Sequence, residues 1–242
     1  MFGRRRLALC SVGWVVVIGF LWSGAQAGNL EEANIKFVRT KVLATGEITY
    51  DATWACRGTD IKRVLIKRPH HLPYSLMNVL RLGSIQYQTE PLTRNVFEKM
   101  FPEGLQQIVA YFNGGGKSAA ELDLAYDQYP DFITPDNLAE GATGITFPVT
   151  ITWPAVDADA IYIDIRVDGL SAGNGLRGDE TSFVLDNWLY MPGETYTVSF
   201  AAQKDLGGGI NTDNQIQSVT VLTFTASGEK GTRGEPATNS SR

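Results

Sequence analysis

Cysteine and histidine are scarce in this chain, which has two of each among its 242 residues. Cys10 lies in the apolar N-terminal segment, so Cys56 has no intramolecular disulfide partner once that segment is removed. His70 and His71 are neighbours, and neighbours on an extended segment point in opposite directions. The sequence therefore argues against a disulfide framework and against a zinc centre. Cys56 is predicted to be a small buried residue rather than a reactive thiol.

Long apolar runs are confined to the N-terminus. Three arginines at positions 4–6 precede an apolar run over residues 7–21, and the sequence Ala-Gln-Ala ends at Ala27. This order is typical of a secretory signal peptide, so cleavage is predicted between Ala27 and Gly28. A retained membrane anchor is the alternative, but the run is shorter than the ~20 residues that a spanning helix needs. The mature chain is predicted to be secreted, either extracellular or periplasmic, without a membrane span.

Positive charge is scarce in the later part of the chain. Residues 28–135 hold 12 Lys and Arg against 12 Asp and Glu, whereas residues 136–227 hold 3 against 12, a net charge of 3 − 12 = −9. An acidic surface repels the phosphates of nucleic acids, so no nucleic-acid partner is predicted. Residues 228–242 have too few Gly-x-y triplets for a collagen helix and are predicted to be a flexible polar tail.

One stretch matches part of a nucleotide-binding loop. Gly116, Lys117 and Ser118 spell the end of G-x-x-x-x-G-K-[ST], but Tyr111 stands where the first glycine is needed. Such a loop must also lead into a helix, whereas the residues that follow alternate as in a strand. Residues 113–117 are therefore predicted to form a hairpin turn, and no nucleotide site is expected.

Titratable residues show no spacing typical of catalysis. The chain has no H-E-x-x-H motif, and residues 169–173 match the spacing of G-x-S-x-G without the helical period that must follow a nucleophile elbow. Asp164 and Asp168 fall on one strand face but lie too far apart to share a proton directly. Asp157 and Asp159 supply only the beginning of a calcium-binding loop. No catalytic residue, metal ligand or cofactor is predicted, although a glycosidase pair of carboxylates stays an open alternative.

Apolar and polar residues alternate along short stretches of the second half. The clearest are residues 144–153 and 161–167. Pro148 cannot donate to a ladder, so the first of these strands is predicted to lie at an edge or to break there. Many short strands separated by turn residues favour an antiparallel β-sandwich. Further strands are predicted over residues 181–185, 195–202 and 217–225, with glycine-rich segments between strands at 169–178 and 207–209.

Three segments carry a family resemblance. They are Val-Thr-Ile-Thr-Trp, which ends at Trp153, the alternating stretch 160–169, and Tyr-Met-Pro-Gly-Glu-Thr-Tyr, which ends at Tyr196. Together they resemble a fibronectin type III domain, an immunoglobulin-like β-sandwich, over residues 143–227. The resemblance implies that Trp153 and Tyr196 are core and corner residues. Arg177-Gly178-Asp179 matches the family's cell-binding tripeptide, but three matching residues are weak evidence for function.

The first part of the chain contains related segments. Residues 100–116 repeat the order of apolar residue, proline, glycine, alternating strand and glycine triplet found over 190–209, and Trp54 stands in its stretch much as Trp153 does. The predicted fold class is therefore all-β, with two tandem antiparallel sandwiches. Residues 28–135 form a β-rich domain, interpreted as a divergent Ig-like sandwich, and residues 136–227 form the fibronectin type III-like one.

Residues 91–101 interrupt the β pattern. A short helix with Val96, Phe97 and Met100 on one face is one interpretation, and an irregular crossover within the sandwich is the other.

Aromatic residues are the remaining candidates for a contact surface. Trp188, Tyr190 and Tyr162 are predicted ligand contacts that form a stacking surface for a sugar or a peptide. Packing in the core or at the turn is the alternative for Trp188, since it flanks the Pro-Gly corner.

These observations favour an exported, non-catalytic protein of β-sandwich modules that acts in binding, adhesion or spacing. Its partner is expected to be a protein or a carbohydrate, held at strand edges and inter-strand loops. The alternative function is a secreted enzyme acting on polysaccharide, or the accessory module of one. A pocket that gathers two carboxylates would favour the enzyme.

The predicted signal-peptide cleavage can be tested at the N-terminus of the secreted protein. If the signal peptide is cleaved after Ala27, N-terminal sequencing of the secreted protein will read from Gly28. Recovery of the secreted chain with Met1 intact would refute this interpretation.

Overall fold

The computed structural model describes residues 30–77, 84–207 and 214–229. The predicted signal peptide, its cleavage site and residues 230–242 of the predicted tail lie outside these ranges. The described residues form strands and one α-helix, α1 (Arg94–Met100). The strands are β1 (Leu30–Val42), β2 (Ile48–Gly58), β3 (Ile61–Lys67), β4 (Tyr74–Met77), β5 (Ser84–Gln88), β6 (Gly104–Phe112), β7 (Lys117–Leu124), β8 (Ala142–Ile145), β9 (Val149–Thr152), β10 (Ala160–Val167), β11 (Leu170–Arg177), β12 (Ser182–Leu185), β13 (Thr195–Gly207) and β14 (Asn214–Ala226).

The described residues divide into two compact units. Unit 1 takes its residues from 30–39, 48–129 and 204–217, and unit 2 from 40–47, 130–203 and 218–229. The units alternate along the chain because β1, β13 and β14 each contribute residues to both. The consecutive domains 28–135 and 136–227 remain a prediction.

Unit 2 is an antiparallel β-sandwich of the fibronectin type III kind. One sheet has the strand order β11-β10-β13-β14, with β8 parallel to β14, and the other pairs β9 with β12. Strands that are distant in sequence, such as β10 and β13, are therefore neighbours, as in Greek-key sandwiches. The predicted all-β sandwich class is confirmed.

The core of unit 2 is built from the inner faces of both sheets. Trp153 is 2% exposed, its ring centroid lies 5.4 Å from that of Phe200, and its Nε1–H donates to the Glu180 carbonyl at 3.1 Å. Tyr196 is fully buried, donates its hydroxyl to the Leu189 carbonyl and accepts the Met191 N–H at 2.8 Å. This is the bond that a tyrosine corner makes, so the core and corner roles predicted for Trp153 and Tyr196 agree with the geometry.

The long strand predicted over residues 144–153 is broken. It forms β8 and β9, which belong to different sheets, and Pro148 lies in the connection between them. Proline lacks the N–H that a continuous ladder would use, so the break is the second of the two predicted alternatives.

Unit 1 repeats the strand arrangement of unit 2 except at the first strand, since β1 lies beside β2 whereas β8 does not lie beside β9. One sheet has the order β4-β3-β6-β7, and β1, β2 and β5 are consecutive neighbours in the other. Strands β6 and β13 are each the sixth strand of their unit, which explains why residues 100–116 resemble residues 190–209. Trp54 on β2 is 1% exposed, so the second tryptophan is also a core residue.

Residues 94–100 form the predicted short helix, but with a different buried face. Phe97 is buried, as is Phe101 immediately after the helix, whereas Val96 is 44% exposed. The helix is anchored by aromatic contacts, since Phe97 lies 5.9 Å from Phe37 and 5.0 Å from Phe101 between ring centroids.

The glycine triplet at 114–116 is a hairpin turn, as predicted. It joins the antiparallel strands β6 and β7, and Gly115 and Gly116 have φ of 90° and 83°, which a residue with a Cβ rarely adopts. Because Lys117 begins a strand rather than a helix, no helix N-terminus faces a phosphate here.

The prediction that the glycine-rich residues 169–178 lie between strands is wrong. Residues 170–177 are strand β11, which pairs with β10 over its whole length. Asp168 and Gly169 form the two-residue turn between them, with φ of 43° and 78°. Positive φ at both turn residues matches the twist of the two strands, and Asp-Gly is a preferred sequence for such hairpins.

The core assignment predicts unequal effects for two tryptophans. Trp153→Ala should lower the free energy of unfolding by about 3–5 kcal/mol, because it leaves a cavity beside Phe200. Trp188→Ala should change it by about 0.5 kcal/mol or less, because Trp188 is 73% exposed. Urea unfolding of the two variants in parallel checks both values, and the reverse order would overturn the strand register of unit 2.

Candidate functional site

Strand β10 presents one apolar face and one polar face. Ile161, Ile163 and Ile165 are at most 2% exposed and point into the core of unit 2. Successive side chains of a strand point to opposite faces, so Tyr162 and Asp164 point outward. The hydrophobic core therefore fixes which β10 side chains are available to a ligand.

The two strands beside β10 carry very small residues next to its outward-pointing side chains. Tyr162 is paired with Gly175 on β11 and with Ala201 on β13, and the next outward pair on the two strands is Gly173 and Ser199. These residues form the floor of an open groove of about 340 Å³. We call it the Tyr162 groove, lined by Tyr162, Ile163, Asp164, Gly173, Asn174, Gly175, Ser199 and Ala201.

The Tyr162 ring leans over Gly175. A Cβ built on Gly175 would lie 3.5 Å and 3.7 Å from ring atoms Cε1 and Cδ1 of Tyr162. The glycine thus lets the ring lie against the backbone of β11, while 48% of the tyrosine remains exposed. An aromatic ring supported on one side and open on the other is suited to stacking.

Polar side chains follow Tyr162 along the outer face of β10. Arg166 Nε donates to Asp164 Oδ2 at 2.7 Å, with 72% and 40% of the two side chains exposed. An ion pair this exposed contributes little to stability, so the two side chains are free to exchange partners with a ligand. A second, polar groove of about 470 Å³ follows at the β10–β11 turn and includes Arg166, Asp168 and Thr197.

The three predicted ligand-contact aromatics are not brought together. Trp188 lies on a short 3-10 helix, Asn187–Leu189, and is 73% exposed, so the alternative of core packing is wrong for it. Tyr190 donates its hydroxyl to the Ser227 carbonyl at 2.9 Å and packs 5.4 Å from Phe147 between ring centroids. No ring contact joins Tyr162 to either residue within the described ranges. Tyr162 lines a groove, and Tyr190 has a structural partner.

The Arg-Gly-Asp tripeptide is held by its surroundings. A Cβ on Gly178 would lie 1.8 Å from the Ala158 carbonyl oxygen, so only glycine fits. Arg177 pairs with Asp179 at 3.3 Å and with Glu180 at 3.7 Å. Close backbone packing explains the glycine, and local ion pairing explains its neighbours.

The residues considered as catalytic groups or metal ligands do not form one site in the described structure. Cys56 is buried, and burial raises the pKa of its thiol to about 12, so it is not a reactive thiolate. His71 donates from Nε2 to the Lys99 carbonyl at 2.8 Å, and His70 lies in a turn with φ of 58°. Asp159 uses its backbone N–H to bond the Gln203 carbonyl at 2.8 Å. The described residues contain no group of three or more His, Cys, Asp or Glu able to hold a metal.

Unit 1 carries one desolvated pair of opposite charges. Burial raises the pKa of Asp51 on β2 to about 6, and the nearby Lys36 ammonium opposes this shift. Burial also lowers the pKa of Lys36 on β1, and Asp51 opposes that shift in turn. For each group, desolvation shifts the pKa further than the charge of the partner shifts it back.

Solved structures of fibronectin type III proteins are among those similar to this chain. A two-domain fibronectin type III segment of chicken tenascin is 15% identical, with 69% of this chain and 90% of that chain covered and a TM-score of 0.26. A cytokine receptor complex is 14% identical, with coverage of 73% and 92% and a TM-score of 0.30. The FN1–FN3 domains of chicken CNTN1 are 14% identical, with coverage of 82% and 67% and a TM-score of 0.26.

No family model and no curated protein matches the chain. At these TM-scores the structural likeness carries no functional argument, and the fold assignment rests on the strand order and the Tyr196 corner. Within the described ranges, no helix has the length and apolar character needed to cross a membrane.

Sequence reasoning misses the floor of the Tyr162 groove. The glycine content of 169–178 assigns Gly173 and Gly175 to a connection, and alternation identifies Ser199 and Ala201 only as members of a strand. The signal that could have found them is the Asp168-Gly169 turn, because a two-residue turn fixes which β11 residues stand opposite Tyr162 and Asp164.

The Asp51 pKa predicts a pH-dependent stability change. Its folded value of about 6 lies above its ordinary value of 3.8, so the folded state binds more protons between these pH values and stability falls as pH rises through them. Asp51→Asn should therefore raise the free energy of unfolding by about 1–2 kcal/mol at pH 7.5, less any loss of attraction to Lys36.

The gain should shrink as pH falls from about 6 towards 4. Urea unfolding across this pH range measures it, with Asp131→Asn at an exposed aspartate as the charge-matched control. A destabilised Asp51→Asn at pH 7.5 would show that attraction to Lys36 outweighs desolvation.

Proposed function

We propose that this chain is an exported, non-catalytic binding protein and that unit 2 holds its ligand in the Tyr162 groove. The observation that carries the proposal is the half-exposed Tyr162 ring, which lies against Gly175 beside an open floor of small residues. A fully exposed ring without support would lose rotamer freedom on binding, whereas this ring is already held on one side.

A saccharide is the ligand class that suits this groove. One face of a sugar ring is lined by C–H groups, which stack on an aromatic side chain. The opposite edge carries hydroxyls, and Asp164, Asn174 and Ser199 offer acceptors and donors along the same groove. The groove is open and shallow, so it fits a segment of an extended chain rather than an enclosed small molecule.

The charge of residues 136–227, which include every residue of the Tyr162 groove, favours an uncharged saccharide. Residues 136–227 carry a net charge of −9, so a sulfated or uronic-acid chain would be repelled. Asp164 stands in the groove itself, and Arg166, its partner, is on the same strand. Neutral hydroxyls can accept from Arg166 and donate to Asp164 without bringing a further negative charge.

A protein partner is the second candidate, and it has its own support. Strand β11 is the end strand of its sheet in the described chain, and its eight residues pair with β10 without a bulge. The strand contains no lysine or proline, which commonly protect sheet edges. Such an edge is suited to the addition of an extended peptide strand.

A glycan array with two matched aromatic variants tests the proposal. The exported chain should bind neutral saccharides, and Tyr162→Ala should weaken binding about fivefold or more, since loss of a stacking ring costs on the order of 1 kcal/mol or more. Trp188→Ala removes another exposed aromatic outside the groove and should leave binding unchanged. Equal losses for both variants, or no saccharide binding, would refute the saccharide proposal.

One further variant and one activity assay separate the saccharide proposal from a protein partner and from an enzyme. Ser171→Lys places a charge on β11 and should weaken a strand-adding protein partner while leaving saccharide binding intact. Release of reducing sugar from the bound polysaccharide would instead identify the chain as an enzyme.

A further inference from the structure

A row of aromatic rings leads from the surface of unit 1 into its core. Tyr74 on β4 is 45% exposed and lies 5.3 Å from Tyr87 on β5. Tyr87 lies 5.9 Å from Trp54, and Trp54 lies 4.8 Å from Phe101, all between ring centroids. Strands β4 and β5 are each the end strand of their sheet in the described chain. The row therefore starts at the edge of the sandwich.

Within the described ranges, two hydrogen-bond donors beside the inner end of this row have no acceptor. The indole Nε1 of Trp54 is buried and unpaired, in a residue that is only 1% exposed. The guanidinium Nε of Arg68 is also buried and unpaired. Leaving a donor buried without an acceptor is costly, so each such group in a native core calls for a partner that completes it.

Both donors belong to side chains that contact Phe101. Trp54 packs against the Phe101 ring, and the Arg68 guanidinium carbon lies 5.5 Å from the centroid of the same ring. Arg68 also lies close enough to Tyr87 to oppose the upward shift that burial imposes on the pKa of that tyrosine. The inner end of the ring row is thus a single aromatic environment with a cation beside it.

The internal contacts of Arg68 leave part of its hydrogen-bonding capacity unused. One terminal N–H donates to the Met100 carbonyl at 3.0 Å, after which α1 ends. That bond explains why a cation lies at this helix end, but it does not use Nε. No carboxylate within the described ranges forms a salt bridge with Arg68.

We propose that unit 1 contains a binding site for an aromatic carboxylate, with the carboxylate held by Arg68 and the Trp54 indole and the ring stacked on Tyr74 and Tyr87. A carboxylate accepts several hydrogen bonds at once and pairs with the planar guanidinium. A neutral acceptor would satisfy the Trp54 donor but would leave the Arg68 charge without a counter-ion. An ammonium ligand would bring a second positive charge and would offer no acceptor.

The site is independent of the Tyr162 groove, because every residue in it belongs to unit 1. Its ligand could be a free aromatic acid or an aromatic residue at the C-terminus of a peptide, which present the same carboxylate and ring. Benzoate serves as the probe because it carries both groups and nothing else.

The test follows the Trp54 indole signal by NMR in the exported chain labelled with ¹⁵N-tryptophan. Sodium benzoate, added at constant ionic strength, should move this signal saturably with a dissociation constant on the order of 1 mM. Benzamide has the same shape without the charge and should move it at least about tenfold less effectively. The Trp153 indole donates to Glu180 and serves as an internal control that stays fixed.

Two variants assign the shift to the proposed donors. Arg68→Gln should weaken benzoate binding about tenfold or more, and Trp54→Phe should reduce the rise in melting temperature that benzoate gives the wild-type chain. If Arg68→Gln does not fold, Arg68→Lys keeps the charge but lacks Nε and should also bind more weakly.

Three results would overturn the proposal. They are a Trp54 signal that does not respond to benzoate, equal responses to benzoate and benzamide, and full benzoate binding by the Arg68 variants. The first result would leave the unpaired donors to water, and the other two would show that the Arg68 charge does not hold the ligand.

Discussion

Burial of the isoleucines on β10 against the aromatic core of unit 2 is the constraint on which its surface depends. Ile163 pairs with Phe200 across β10 and β13, and Phe200 in turn packs on Trp153. Because side chains alternate between faces, each buried isoleucine places a neighbour outside, and a shift of one residue would reverse both faces. The position of Tyr162 is thus a consequence of core packing, and the stability of the core and the geometry of the groove are set together.

Features that repeat at short range are predictable from the sequence. Alternation locates β10 and β13, and the Pro-Gly corner locates Tyr196. Strand β11 escapes prediction because its glycines bury no apolar face and give no period. Core or turn packing of Trp188 is the alternative that its position beside the Pro-Gly corner favours, yet the side chain is exposed. The residues that β1, β13 and β14 contribute to both units depend on pairing between distant segments, which no local pattern records.

The two units handle polar groups in different ways. Unit 2 pairs the donors of its two large buried polar aromatics, Trp153 with Glu180 and Tyr196 with Leu189, although its buried Thr220 hydroxyl has no partner among the described residues. Unit 1 leaves Trp54 and Arg68 with unused donors in an aromatic core. Two sandwiches with similar strand orders thus carry different chemistry, because the strand order sets where side chains stand and not what they bind.

Gly178 shows how a short motif can persist without any recognition function. Its missing Cβ is required by the Ala158 carbonyl, so mutation at this position is eliminated whether or not the tripeptide meets a receptor. Arg177 and Asp179 pair beside it, but both side chains are largely exposed, so the fold places little demand on either one. Among descendants of this chain, the glycine would stay fixed while its flanking charges drift, and a search for adhesive tripeptides would find the motif in some lineages and lose it in others.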